Sequence, residues 1–235
     1  MVFLATMTSL IDLSHAVRHG LVTYPGLPAP VVGEHLTRSA SRAHYAPGTE
    51  FQIGRIELVA NTGTYVDAPF HRYALGADLA RLPLEALADL PGAVVRAVGR
   101  ASRALGPEAL EGLALAGRIA GRAVLVHTGF DRHFGTPAYG VGHPFLTAAA
   151  AELLVREGAA LVGIDSLNID DTGDGARPVH TILLDAGIPV VEHLTGLGAL
   201  PAAGFRFFAV PPRVRGMGTF PVRAFALGPW SGSAE

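Results

Sequence analysis

The chain contains neither cysteine nor lysine, and each absence excludes a class of chemistry. Without cysteine, a disulfide framework, a thiolate zinc finger and an iron–sulfur cluster are all excluded. Without lysine there is no Schiff-base catalysis, and no P-loop lysine to contact nucleotide phosphates. All 18 basic residues are arginine, so the side chains left for catalysis are ten histidines, 20 acidic residues and the hydroxyls.

Charge and hydropathy exclude two kinds of partner. The 235 residues carry a formal net charge of −2 with no basic run, which argues against a nucleic-acid partner. No apolar stretch is long enough to span a membrane, and residues 1–10 lack the cationic start of a signal peptide. We therefore expect a cytoplasmic protein that acts on a small molecule. Met7 is an alternative start, so residues 1–6 are expected to be disordered or non-native.

The pattern along the chain predicts one α/β domain over residues 1–235. The 29 glycines and 17 prolines are spread throughout, as in a domain with many turns, rather than gathered in a linker. Helices are predicted at 108–115 and from the N-cap Thr147 to Gly158. Short apolar runs predict strands at 51–60, 93–98, 123–127, 159–164, 188–191, 206–210 and 222–227. Strands and helices mixed in this way indicate an α/β fold with a mixed sheet.

The segment from Asn61 to His71 concentrates glycine, threonine, aspartate, proline and histidine directly after a predicted strand. Asp67 and His71 are four residues apart around Pro69, which predicts a loop rather than one face of a helix. A carboxylate and an imidazole this close either bind a divalent metal or form an acid–base pair. A turn with a capping aspartate and an exposed histidine is the alternative.

Two further candidate ligands lie between residues 179 and 192. His180 follows an acidic, glycine-rich stretch whose pair Asp170 and Asp171 we interpret as a solvated turn. Glu192 ends an apolar run, where a solvated acid is less expected, although a surface acid at a strand end is the alternative. Together with Asp67 they supply one nitrogen and two oxygens, a donor set that suits zinc or manganese with positions left for water.

The other polar candidates have weaker patterns. Asp165 ends a predicted strand, where acidic residues often face a site, and His15 and His127 are candidates for positions near it. The remaining histidines are interpreted as surface or satisfied structural residues: His19, His35, His44, His133, His143 and His193.

Segments along nearly the whole chain resemble the cyclase family of metal-dependent hydrolases, which includes bacterial kynurenine formamidases and isatin hydrolases. Residues 61–71 are similar to the family signature His-x-Gly-Thr-His-x-Asp-x-Pro-x-His. Other segments that resemble the family are 11–15, 24–26, 126–130, 161–166, 180–192, 211–214 and 221–224. The resemblance implies a swivelling β/β/α fold and a homodimer or homotetramer.

The resemblance also implies a set of site residues. Asp67, His180 and Glu192 would bind a divalent metal, zinc or manganese, and His71 would be the general acid/base. Asn61 and Tyr65 stand where the family has two further ligand histidines. Asparagine is a poor zinc ligand and tyrosine binds well only as phenolate, with a free pKa near 10, so we expect one of two metal positions to be lost.

The resulting hypothesis is a hydrolase of a small amide or cyclic amide, similar to an arylformamidase. A water activated by the metal would attack the carbonyl, and His71 would transfer the proton. Tyr24 and Phe70 would pack on an aromatic substrate, next to Asn61 and Tyr65. The alternative is a metal-free member of the family, either a small-molecule binding protein or an enzyme that uses the Asp67–His71 pair.

Overall fold

The computed structural model describes residues 8–229, so the expectation for residues 1–6 lies outside the described range. The strands in this range are β1 Thr8–Asp12, β2 Val31–Leu36, β3 Ile53–Glu57, β4 Tyr65–Asp67, β5 Leu90–Arg96, β6 Ala104–Leu105, β7 Ala123–His127, β8 Phe145–Leu146, β9 Leu161–Ile164, β10 Val190–Glu192, β11 Ala203–Phe208, β12 Thr219–Pro221 and β13 Phe225–Pro229. The α-helices are α1 Arg38–Ser41, α2 Glu111–Leu115, α3 Ala148–Arg156 and α4 Pro178–Asp185. Short 3-10 turns cover Pro69–His71, Leu84–Ala86, Pro107–Ala109, Phe130–His133, Pro137–Gly140 and Leu197–Ala199.

Nine strands form one mixed sheet in the order β1–β13–β11–β5–β7–β9–β10–β4–β12. The central strands β5, β7, β9 and β10 are parallel to one another. The strands on both sides of this centre pair antiparallel. Outside this sheet, β2 and β3 form an antiparallel hairpin and β6 pairs with β8. The predicted α/β class with a mixed sheet is confirmed.

Apolar layers cover both faces of the central strands. On one face Val162 and Val190 pack with Leu154 of α3 and Leu183 of α4. On the other face lies a second apolar cluster that includes Phe205. Strands buried on both sides read as continuous apolar runs, which is why 123–127 was predictable to the residue.

The predicted long helix is also confirmed at both ends. The Thr147 hydroxyl accepts a hydrogen bond from the Ala150 amide, which caps α3. Gly158 follows the helix with a φ of 75°, the left-handed conformation that glycine adopts most readily. Within residues 8–229, no helix is both long and apolar enough to cross a membrane.

Some predictions of local structure were wrong in part, and one helix was missed. Residues 61–71 are not a continuous loop, because Tyr65–Asp67 is strand β4 and Pro69–His71 is a 3-10 turn. The predicted helix 108–115 begins as a 3-10 turn, and only Glu111–Leu115 is α-helical. Helix α4 was not predicted, although Pro178 lies in its first turn and Gly187 follows its end.

Candidate metal centre and active site

Strand register and one helix bring the three candidate ligands together. In the antiparallel pair β4–β10, Tyr65 lies opposite Glu192 and Asp67 opposite Val190. Residues two apart on a strand share a face, so Tyr65, Asp67 and Glu192 point to the same side of the sheet. Helix α4 packs against β10 and supplies His180. Glu192 ends β10, at the carboxyl edge where open α/β sheets commonly place their sites.

The donor atoms of Asp67, His180 and Glu192 all lie within 4.8 Å of one another. Nε2 of His180 is 3.5 Å from Oδ2 of Asp67 and 3.6 Å from Oε1 of Glu192. All three side chains are buried. The structure therefore brings together, from two strands and a helix, the three residues that the sequence predicted as candidate ligands.

The surroundings of one Asp67 oxygen indicate that the cluster is suited to bind a cation. Oδ2 of Asp67 is buried and has no hydrogen-bond partner among residues 8–229, whereas Oδ1 accepts a 2.6 Å hydrogen bond from the Thr219 hydroxyl. A buried carboxylate oxygen without a partner is unfavourable, and a metal ion between it and the other two donors would satisfy it. One imidazole nitrogen and two carboxylate oxygens are a donor set that zinc and manganese accept.

Asp170 corrects the interpretation of a solvated Asp170–Asp171 turn. Its carboxylate is fully buried and accepts hydrogen bonds from the backbone amides of Val179 and His180, at 2.7 and 3.0 Å. It also lies 2.7 Å from Nδ1 of His180. A proton on Nδ1 leaves Nε2 free to bind a metal, the arrangement in which a carboxylate orients a ligand histidine.

The electrostatics of the cluster favour a positive charge at its centre. Burial lowers the pKa of His180, but Glu192, Asp170 and Asp67 outweigh burial and raise it to about 10. Burial raises the pKa of Glu192 to about 7, an effect that the neighbouring His180 opposes. The carboxylates are therefore stabilised either by the positive charge of a protonated His180 or by a cation bound next to neutral His180.

The substitution Asp170→Asn is expected to weaken zinc binding about 10- to 100-fold, the usual effect of losing a group that orients a ligand histidine. Titration calorimetry of the metal-free protein with Zn²⁺ measures this change. The control is Asp171→Asn, because Asp171 is only half-buried and its carboxylate accepts from the Gly173 amide. Equal zinc affinity in both variants would contradict the orienting role of Asp170.

His71 lies at the edge of the cluster. Its Nδ1 contacts the Thr219 hydroxyl, and its Nε2 makes no hydrogen bond within residues 8–229. The Thr219 hydroxyl donates to Asp67 and lies 2.9 Å from Nδ1 of His71, so it accepts the proton that Nδ1 carries. Nε2 of neutral His71 then has a lone pair, 3.8 Å from Oδ1 of Asp67. Gly218 permits this packing, since a Cβ there would collide with the His71 backbone. The His71 side chain is 39% exposed, which leaves it accessible to a substrate.

A cavity of about 360 Å³ lies beside the cluster and is lined by Tyr24, Pro25, Gly26, Leu27, Asn61 and Tyr65. The Tyr65 hydroxyl donates to Oε2 of Glu192 at 2.6 Å, which joins this cavity to the ligands. Burial and the carboxylates of Glu192 and Asp67 raise the pKa of Tyr65 well above 10, so Tyr65 is a neutral donor. Three of the four predicted substrate-binding residues line the cavity, whereas the half-buried Phe70 lies outside it, next to His71.

The weaker candidates have structural partners elsewhere. Asp165 accepts three hydrogen bonds from Thr128 and Gly129, and His127 contacts Arg96, so neither joins the ligand cluster. His15 stacks on Phe134 at 3.6 Å between ring centroids. Besides Asp170, the sequence interpretation missed Thr219, which follows a glycine in an otherwise ordinary strand and carried no signal of its own.

The fold and the buried cluster together define an α/β protein with a candidate carboxylate–histidine metal site. The family model described as Putative cyclase matches residues 11–171, more than half of the chain. The chain belongs to this family.

Two curated relatives match nearly the whole chain. The kynurenine formamidase of Paracidovorax citrulli is 25% identical over 221 residues, which cover 94% of this chain and 97% of the relative. The kynurenine formamidase of Salinibacter ruber is 27% identical over 217 residues, covering 92% and 96%. Isatin hydrolase A from Labrenzia aggregata has the same fold, with a TM-score of 0.77, 22% identity and 94% coverage of both chains.

Proposed function

We propose that the protein is a metal-dependent hydrolase of a small amide or cyclic amide, with an activity like that of kynurenine formamidase. The observation that carries this proposal is the buried Asp67–His180–Glu192 cluster, which adjoins a cavity of about 360 Å³. Further support comes from the two kynurenine formamidases that match nearly the whole chain.

Asp67 would hold the metal through Oδ2, His180 through Nε2 and Glu192 through Oε1, because these atoms face one another. A divalent ion held there, zinc or manganese, would lower the pKa of a bound water toward about 7 and would polarise the substrate carbonyl. Asn61 and Tyr65 replace two ligand histidines that the family signature contains, so we propose a single metal ion.

His71 would transfer the proton during hydrolysis. The water oxygen forms a bond to the amide carbon while Nε2 of His71 accepts a proton from that water. The C–N bond then breaks, and His71 returns the proton to the leaving nitrogen. Thr219 donates to Asp67 and can accept from Nδ1–H of His71, which would orient Nε2 as the base.

The cavity would hold the substrate against the ring of Tyr24. Tyr24 lines the cavity and is only partly buried, and a flat ring of this kind packs well on an aromatic amide. Tyr65 contributes only its edge to the wall, because the residue is 1% exposed. Asn61 supplies an amide group on the same wall, which can donate to or accept from a polar group of the substrate.

We further propose a homodimer or homotetramer. The β2–β3 hairpin exposes Val31, Val32, Ile53 and Ile56, and Val32 and Ile56 lie directly opposite each other on one face. Contiguous exposed apolar surface of this kind often marks protein contacts. The cytoplasmic location stays a prediction.

Hydrolysis assays with and without metal test the proposal. The purified protein is assayed with formanilide, isatin and a lactone, first as purified, then after chelation, and then after adding back Zn²⁺ or Mn²⁺. We expect hydrolysis of at least one amide that is lost on chelation and restored by the metal. Turnover that survives complete chelation would favour the metal-free enzyme, and ligand binding without turnover would favour the binding protein.

A further inference from the structure

A buried chain of hydrogen bonds continues beyond Glu192 into the protein. The Tyr65 hydroxyl is 2.6 Å from Oε2 of Glu192, and Nε2 of His193 is 3.3 Å from the Tyr65 hydroxyl. Nδ1 of His193 is 2.9 Å from the Tyr139 hydroxyl. Tyr65, His193 and Tyr139 are each at most 3% exposed, so water does not compete for these contacts.

The direction of this chain follows from the chemistry of its groups. Tyr65 donates its only hydroxyl proton to Glu192, so its oxygen accepts from Nε2–H of His193. A neutral imidazole carries a single proton. With that proton on Nε2 of the fully buried His193, Nδ1 accepts from the Tyr139 hydroxyl. Every donor in the chain therefore points toward Glu192.

The backbone at His193 is held in a conformation that few non-glycine residues adopt. Its φ is 56°, and the Thr64 hydroxyl donates to its carbonyl oxygen at 2.6 Å. A left-handed non-glycine residue is unfavourable and persists where the surrounding structure requires it. The left-handed backbone follows directly after the end of β10 at Glu192. In this conformation the His193 imidazole lies between the hydroxyls of Tyr65 and Tyr139.

The two oxygens of Glu192 consequently have different surroundings. Oε2 accepts from Tyr65 at 2.6 Å and lies 3.4 Å from the Asn168 amide nitrogen. Oε1 accepts from the Ile169 backbone amide and faces Nε2 of His180. Tyr65 thus occupies Oε2, whereas Oε1 is the oxygen that faces Nε2 of His180.

We infer that His193, held in turn by Tyr139, is a positioning residue that fixes Tyr65 as a donor to Oε2 of Glu192, so that Glu192 binds the metal through Oε1 alone. In this arrangement Tyr65 replaces a ligand histidine of the family signature without becoming a ligand itself. The inference rests on the proposed metal site, and it assigns functions to two residues outside that site.

Titration of the metal-free protein with Co²⁺, followed by visible absorbance, reports both the affinity and the coordination of the ion. The variants are Tyr139→Phe and His193→Leu, which break the chain, and His193→Gln, whose amide can donate to Tyr65 and accept from Tyr139. The matched control is Tyr45→Phe, because Tyr45 is 43% exposed and lies outside the chain.

Wild type and Tyr45→Phe are expected to bind one Co²⁺ with the same affinity and spectrum. Tyr139→Phe and His193→Leu are expected to bind about 10- to 100-fold more weakly with an altered absorption band, because Glu192 is no longer held in one orientation. His193→Gln should recover most of the affinity and the wild-type band, which a purely structural role of the imidazole would not produce.

Two results would overturn the inference while leaving the proposed function intact. One is unchanged Co²⁺ affinity and spectrum in both Tyr139→Phe and His193→Leu. The other is a His193→Gln variant as impaired as His193→Leu, which would assign the loss to packing. If wild type itself binds no Co²⁺, the proposed metal site fails and the inference fails with it.

Discussion

The substitution His71→Ala is expected to lower kcat for amide hydrolysis by about 10²- to 10⁴-fold, the usual contribution of general acid–base catalysis. His71 offers Nε2 as a base at the edge of the cluster while Thr219 occupies Nδ1. The metal content should not change, because His71 is not among the three grouped ligands. Steady-state kinetics together with elemental analysis measure both quantities.

The control for this prediction is His44→Ala, since His44 is an exposed histidine remote in sequence from the site segments. It should retain wild-type kcat and metal content. Turnover that survives His71→Ala would show that another group transfers the proton. Loss of metal in His71→Ala would instead place His71 among the ligands.

The second large effect is expected for His180→Gln, which should lose the metal and with it all metal-dependent hydrolysis. His180 contributes the only nitrogen to the cluster, and Asp170 holds its ring in position. A glutamine lacks the basic imidazole nitrogen and would leave Asp67 and Glu192 close together without a strong cationic partner. Elemental analysis and melting temperature, each with and without added Zn²⁺, measure the loss.

The control here is His127→Gln, because His127 is a partly buried histidine that contacts Arg96 outside the cluster. It should keep its metal and show the wild-type rise in melting temperature on adding Zn²⁺. A His180→Gln variant that still binds one metal per chain would remove His180 from the proposed ligand set.

The sequence predicted the parts of the fold whose local pattern is strong. Strand β7 is an almost continuous apolar run, and α3 has both a threonine N-cap and a glycine after its end. The approximate bounds of both elements could therefore be predicted from the local sequence. Strand β4 has three residues, too few for any periodicity to appear. Helix α4 begins at Pro178, and its N-cap residue Arg177 has a left-handed backbone and provides no side-chain cap, so the usual start signal is missing.

The residues of the candidate site that match the family's motifs could be predicted from the sequence, and the residues that surround them could not. Asp67, His180 and Glu192 were identified from their residue types and the resemblance, and the structure places them together. Asp170 was misinterpreted because the stretch after it is rich in glycine and acidic residues, whereas its burial depends on the packing of α4. His193 and Tyr139 are 54 residues apart, and only the fold reveals that they touch.

The measurement that tests the central claim most directly is the metal content of wild-type protein purified without chelators. Elemental analysis should find one divalent metal ion per chain, zinc or manganese, held by the Asp67–His180–Glu192 cluster. The absence of any stoichiometric divalent metal, even after incubation with Zn²⁺ and Mn²⁺, would contradict the proposed metal-dependent hydrolase and favour the metal-free alternative.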